Sequence, residues 1–177
     1  MRKDCKGILW ENNNNLKPLS EILSQKIVES IVDELSKMQF ESPLFCLKLS
    51  YQYVYNYYPS LIPVTLKFKN WVESEEGPFM ADPGDFINPS DQNFETEFLE
   101  FIQLIEEKRN WMAGTNMLRR AAKMLTLSKL NNKIKVTDGF VAFPVDWEIE
   151  GMELDKILIQ CGAEKSKVKE WKKLKWI

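Results

Sequence analysis

Phe45-Cys46-Leu47-Lys48-Leu49-Ser50-Tyr51-Gln52-Tyr53-Val54-Tyr55-Asn56 is the stretch on which the fold turns. Apolar or aromatic residues hold every odd position, and mostly polar ones hold the even positions. A period of two with one apolar face describes a half-buried β-strand. Moving outward toward the C-terminus, Ile62, Val64, Leu66 and Phe68 alternate again, opposite Thr65, Lys67 and Lys69. Tyr57-Tyr58-Pro59-Ser60 lies between the two runs and carries a turn residue, which predicts an antiparallel hairpin of strands 44–56 and 62–72. Pro63 predicts that the second strand starts late or lies at an edge.

On the N-terminal side, Leu19, Leu23, Ile27, Ile31, Leu35 and Met38 recur in steps of three and four, widened by Ile22, Val28 and Val32. That is one helix face, over about 18–38, with Pro18 in the first turn where its missing N–H costs nothing. Asn12 to Asn15 read as a polar linker, leaving 1–15 as a loose segment. Residues 73–93 lose all periodicity and carry Pro78, Pro83, Pro89, Gly77 and Gly84, which predicts a long irregular loop. Phe94, Phe98, Phe101, Ile102 and Ile105 then mark a second helix. Gly114-Thr115 is expected to break it before a third over about 116–130, with Leu118, Ala121, Ala122 and Leu125 inward.

Residues 133–145 are strand-like, and Asp138-Gly139 fits either a tight hairpin or a bulge in one longer strand. Leu154, Ile157, Leu158 and Cys161 mark a short helix with Gly162 as its cap, and Val168, Trp171 and Leu174 mark a last, basic one. Strands and helices in runs predict a single α+β domain over 1–177. Its antiparallel sheet has three to four strands, covered mainly on one face by three main helices, with short helices at the C-terminus. The expected core is Ile27, Ile31, Leu35, Leu47, Leu49, Leu66, Phe68, Phe98, Phe101, Leu118, Leu125, Val141 and Phe143.

The 177 residues contain no histidine. That excludes Ser-His-Asp and Cys-His catalysis, His-based zinc sites and imidazole pH switches. Three widely spaced cysteines, Cys5, Cys46 and Cys161, make neither a disulfide framework nor a four-Cys zinc site. Cys46 and Cys161 stand in apolar runs and read as buried hydrophobes. No phosphate-loop or dinucleotide-binding glycine motif is present, so no cofactor is expected. Ile8-Leu9-Trp10 is too short for a signal-peptide core, and no run approaches the roughly 18 apolar residues of a membrane helix. A cytoplasmic protein is the expectation.

Charge is unevenly laid out. Residues 1–69 carry nine Lys/Arg and seven Asp/Glu, residues 70–107 carry none and eleven, and residues 108–177 carry fifteen and eight. The acidic and basic segments can neutralise each other in the fold. Alternatively Glu73, Glu75, Glu76, Asp82, Asp85 and Asp91, on a proline-stiffened loop, dock a basic protein partner and speed its association. Asp82 and Asp85 also flank Pro83-Gly84, but their spacing matches no calcium loop, and no metal site is expected.

Lys165, Lys167, Lys169, Lys172, Lys173 and Lys175, with Trp171 and Trp176, offer a surface for an anionic polymer or membrane. A solvated helix face explains the same lysines. No nucleic-acid motif accompanies them, so neither nucleic acid nor membrane is the expected partner. Asp146, Glu148 and Glu150 share one face of an extended chain. Asp146 and Glu148 would serve a carboxylate-based enzyme if their environments differed, whereas a solvated strand end accounts for the same spacing.

Val136-Thr137-Asp138-Gly139-Phe140-Val141-Ala142-Phe143, followed by Asp146 and Glu148, comes after a helix with Leu118-Arg119-Arg120-Ala121-Ala122 and before two short terminal helices. In this the chain resembles, over about 100–177, a group of uncharacterised bacterial proteins, some of them immunity-type partners of secreted toxins. The resemblance carries over no catalytic residue. It implies a non-enzymatic, cytosolic bacterial binding protein, and it adds to the case for docking through the acidic segment 73–100.

Overall fold

The computed structural model describes residues 8–53, 56–72, 77–84, 86–89, 94–146 and 153–177, and for 8–15 the backbone alone. Its centre is the strand β1, Leu44–Gln52, in a three-stranded sheet of order β2-β1-β3. The expected half-buried strand is buried on both faces: Cys46, Lys48 and Ser50 are as enclosed as Leu47 and Leu49. Successive side chains point to opposite sides of a sheet. Tyr51 accordingly meets Thr115 on one side, while Lys48 reaches the Ala81 carbonyl on the other.

The hairpin partner β2 spans Asn56–Thr65 and runs antiparallel to β1, with Leu49 opposite Leu61 and Leu47 opposite Pro63. The expected turn Tyr57–Ser60 is therefore strand. The tyrosine alternation runs straight through the real turn, which hid it. Pro59 sits where the register slips between Ser50 and Gln52, a place that tolerates a missing N–H. Pro63 does lie on an edge strand.

The second expected strand, 62–72, ends early. Thr65 Oγ1 accepts the Phe68 N–H at 3.2 Å, and the chain turns into helix α2, Leu66–Val72. A Thr cap is the signal that overrides the alternation there. Leu66 and Phe68 are in consequence only partly buried, whereas the rest of the expected core is buried.

Helix α1 spans Ile8–Ser36, so it starts about ten residues earlier than the asparagine run and Pro18 suggest, and Pro18 lies inside it. The backbone of 8–15 is helix, not a loose segment; residues 1–7 lie outside the described residues. Leu23, Ile27, Ile31 and Leu35 are fully enclosed, but Ile22 and Met38, at the margins of the expected stripe, are exposed.

Helix α3, Glu95–Lys108, stops where Arg109 adopts a left-handed backbone at φ 51° and its N–H bonds the Glu106 carbonyl. Helix α4, Met112–Ser128, runs through Gly114-Thr115 without a break. Gly114 is there for packing: a Cβ would lie 2.3 Å from the Tyr57 ring, whose hydroxyl donates to the Trp111 carbonyl at 2.8 Å.

Strand β3, Val136–Asp146, corrects the expected topology. It pairs with β1 in parallel, so the sheet is mixed rather than antiparallel. After the hairpin the chain passes through α2, α3 and α4 and re-enters the sheet from the end where β1 began, as a helical crossover requires. Between Leu44–Val136 and Cys46–Val141 the register slips, so Asp138-Gly139 belongs to a bulge in one strand. On the open edge of β3, Thr126 Oγ1 accepts the Ala142 N–H at 2.9 Å and donates to the Ala122 carbonyl, standing in for a missing neighbour strand.

Helices α5, Leu154–Gln160, and α6, Lys165–Lys173, close the chain. Gly162 takes φ +98° after α5, as expected of a cap. The helices α1, α3 and α4 are not the whole cover. The opposite face of the sheet is closed by the turn at 77–81 and by α6, through Phe79 against Phe45 at 5.1 Å, Phe143 at 6.0 Å and Trp171 at 4.7 Å. Trp171 and Val168 are buried as the periodicity predicts, but Leu174 is exposed.

Candidate functional site

Of the six carboxylates singled out for docking, Glu73, Glu75, Glu76, Asp85 and Asp91 lie outside the described residues. Asp82 is exposed, and its Oδ1 accepts the Gly84 N–H at 2.7 Å, which fixes the tight turn that Gly84 permits at φ +82°. Its carboxylate also acts on Lys48 beneath it. Burial holds the Lys48 ammonium below the ordinary lysine range, and the nearby Cys46 and Asp82 oppose that shift. The irregular segment is tied to the sheet where Leu61 and Ile87 exchange backbone hydrogen bonds of 2.7 and 2.9 Å.

Helix α3 supplies the rest of the acidic surface. Its inner face is Phe98, Phe101 and Ile105; Glu95, Glu100, Glu106 and Glu107 are exposed. Among them stands Leu99, 61% exposed. Trp71, at 80%, and Met80, at 54%, are also open to solvent. Large apolar side chains among carboxylates were not singled out from the sequence. In a helix pattern Leu99 looks like one more member of the Phe98–Ile105 stripe.

Five of the eleven carboxylates of 70–107 lie outside the described residues, and the other six do not neutralise the basic segment. Among the described residues no carboxylate of 70–107 pairs with a cation of 108–177. Glu97 bonds Lys26 of α1 at 2.5 Å, and that hydrogen bond holds its carboxyl below the usual range. Within the basic third, Lys172 pairs with Asp155 at 2.5 Å and Lys156 with Glu153 at 2.6 Å. The two segments touch through aromatic rings instead. Trp171 packs on Phe79, and Gly77 lies so close to the Trp176 backbone that a Cβ would come within 2.6 Å of it. The lysine-rich C-terminal segment thus has both tryptophans engaged in the fold, Trp176 also against Phe45 and beneath the Lys69 ammonium.

A separate concavity of about 400 Å³ opens where the parallel strands β1 and β3 end. Its polar wall holds Tyr51, Thr115, Arg119 and Lys156; Pro144, Ile157 and Met112 form an apolar one. Tyr51 Oη and Thr115 Oγ1 share a hydrogen bond of 3.1 Å. Burial raises the Tyr51 pKa above its ordinary value. The Thr115 bond counters this, the Asp146 carboxylate adds to it and the Arg119 guanidinium opposes it, so the phenol stays protonated. Lys156 is held by both oxygens of Glu153, at 2.6 and 2.7 Å. Arg119 Nε is shielded from water and has no hydrogen-bond acceptor among the described residues.

Asp146 ends β3 and is buried, not part of a solvated strand end. Glu148 and Glu150 lie outside the described residues. Cys46 and Cys161 are free and enclosed, with burial pushing both thiols up to about 12, which makes them inert packing groups. Among the described residues, no three His, Cys, Asp or Glu side chains assemble as a metal site, and no helix is long and apolar enough to cross a membrane.

What these observations define is a class of fold: an α+β domain with a mixed three-stranded sheet, an acidic helix face and a small cleft at its strand ends. No protein-family model, curated protein or solved structure matches the chain.

Proposed function

We propose that the protein is a non-enzymatic binding protein of the bacterial cytoplasm. It docks a basic protein partner through the acidic segment 73–100 and the adjoining turns of α3, as an immunity protein neutralises a toxin. The observation that carries this reading is the solvent-exposed surface of α3, where Glu95, Glu100 and Glu106 stand along one helix with the exposed Leu99. Carboxylates along 70–107, a stretch with no lysine or arginine of its own, steer a basic partner and raise its association rate. An exposed apolar side chain on the same helix supplies contact area that water leaves on binding. Salt-bridge partners for these carboxylates from the basic third are absent among the described residues, so their charge is open to a second protein.

The test is capture from the native bacterium by the full tagged chain, at low and high salt, followed by binding kinetics with the purified captured protein. The comparison chain carries Glu95→Lys, Glu100→Lys and Glu106→Lys. A stoichiometric basic protein is expected, with an association rate that falls with salt and falls at least about tenfold in the variant. Equal rates in both chains, or a captured protein without basic character, overturn the reading.

A further inference from the structure

We propose that the cleft at the carboxyl ends of β1 and β3 binds a small organic carboxylate with an apolar body, its carboxylate gripped by Arg119 and the Tyr51–Thr115 hydroxyl pair. The site is distinct from the acidic face of α3, and the inference does not rest on docking there.

Place comes first. Parallel neighbouring strands end side by side, and the chain leaves them in different directions, which opens a crevice at their carboxyl ends. Here that crevice measures about 400 Å³, within the range of small-ligand sites.

Charge comes second. Lys156 and Glu153 balance each other on the rim. Arg119 forms no ion pair among the described residues. Its guanidinium lines the cleft and stays charged at any physiological pH. A guanidinium offers donors in a planar fork that matches a carboxylate.

The neighbouring hydroxyls reinforce this choice. Tyr51 and Thr115 use one hydrogen between them in their mutual bond, so the pair retains a second to donate. Tyr51 remains a neutral O–H donor because burial raises its pKa.

The same groups select against a phosphate. A single guanidinium beside neutral hydroxyls suits a monoanion, and the Asp146 carboxylate, felt at Tyr51, repels a dianion more strongly. Pro144, Ile157 and Met112 then give the rest of the ligand an apolar wall.

The experiment titrates the full, isotopically labelled chain with 3-phenylpropionate, its primary amide and phenyl phosphate, reading the amide resonances of Tyr51, Thr115, Arg119 and Ile157. Saturable shifts with 3-phenylpropionate are expected, with affinity at least about tenfold weaker for the amide and for Arg119→Gln. Tyr51→Phe weakens binding less, and the α3 charge-reversal variant binds as the parent does. Arg119→Lys retains the charge without the fork and replaces Arg119→Gln if the latter does not fold. No shift with 3-phenylpropionate, equal affinity for the amide, or indifference to both Arg119 substitutions overturns the proposal. Tighter binding of phenyl phosphate than of 3-phenylpropionate overturns the monoanion assignment.

Discussion

The acidic segment 70–107 and the basic segment 108–177 have opposite charge, yet they are built into the molecule in different ways. The basic segment consists of α4, β3, α5 and α6, with its lysines on the outside of buried elements such as Val168 and Trp171. The acidic segment is anchored at few points: Phe79 in the aromatic cluster, Ile87 on the edge of β2, and the inner face of α3. Where the two meet, the contact is ring against ring and backbone against backbone. The difference teaches that complementary charge in a sequence does not imply pairing in the fold. Exposed ion pairs contribute little, whereas a buried aromatic side chain removes a large apolar area from water. Among the described residues, Asp82, Glu95, Glu100, Glu106 and Glu107 are thereby left on the surface.

Phe79→Ala is the strongest way to break this arrangement. The ring contacts Phe45, Phe143 and Trp171 and is fully enclosed, so its loss should cost about 3–5 kcal/mol in urea unfolding. A loss below about 1 kcal/mol would show that the joint lies elsewhere. Gly77→Ala comes next. The new methyl would meet the Trp176 backbone, and φ +72° is strained for any side chain, so a loss of about 2 kcal/mol or more is expected. Thermal midpoints of Gly77→Ala and the parent chain measure it; equal midpoints would place Trp176 away from the turn.

Lys48→Met sharpens the comparison from beneath. Burial lowers the Lys48 pKa in the folded state, so the unfolded chain holds that proton more tightly. Stability should therefore rise with pH as the solution approaches the ordinary lysine range, because the folded state loses the proton first. In Lys48→Met this part of the slope disappears. Urea midpoints between about pH 8 and about pH 10 decide it, and identical slopes in the two chains would refute the assignment.

Salt gives a smaller effect. If aromatic contact joins the segments, raising sodium chloride from about 0.05 to about 1 M should not lower the melting temperature, whereas an ionic joint would weaken. Leu99→Ala should change stability least, within about 0.5 kcal/mol, since Leu99 is mostly exposed. A larger loss in differential scanning calorimetry would mean that Leu99 packs within the fold and is no docking residue.

Much of the fold was legible because its periodicities are strong. The stripe Leu23–Ile27–Ile31–Leu35, the alternation along 44–52 and the inner face of α3 all end in the core. What misled were residues whose local meaning depends on neighbours far along the chain. Gly114 reads as a helix breaker until Tyr57 is seen to need its missing Cβ. Ile62–Phe68 alternates like a strand, but Thr65 caps a helix in its middle. The cleft was less legible still. Arg119 stands within an apolar helix motif and Tyr51 within a strand pattern, and nothing in their spacing places them together.

By itself, the sequence determined most of the apolar core, the absence of histidine chemistry and the separation of charge into three blocks, because these follow from composition and local period. Only the tertiary structure decided that β3 runs parallel to β1, that Lys48 is enclosed, and that Tyr51, Thr115 and Arg119 line one cleft. Strand direction depends on which end of the sheet the chain re-enters after α2, α3 and α4, and a local pattern of side chains is the same whichever way the strand runs.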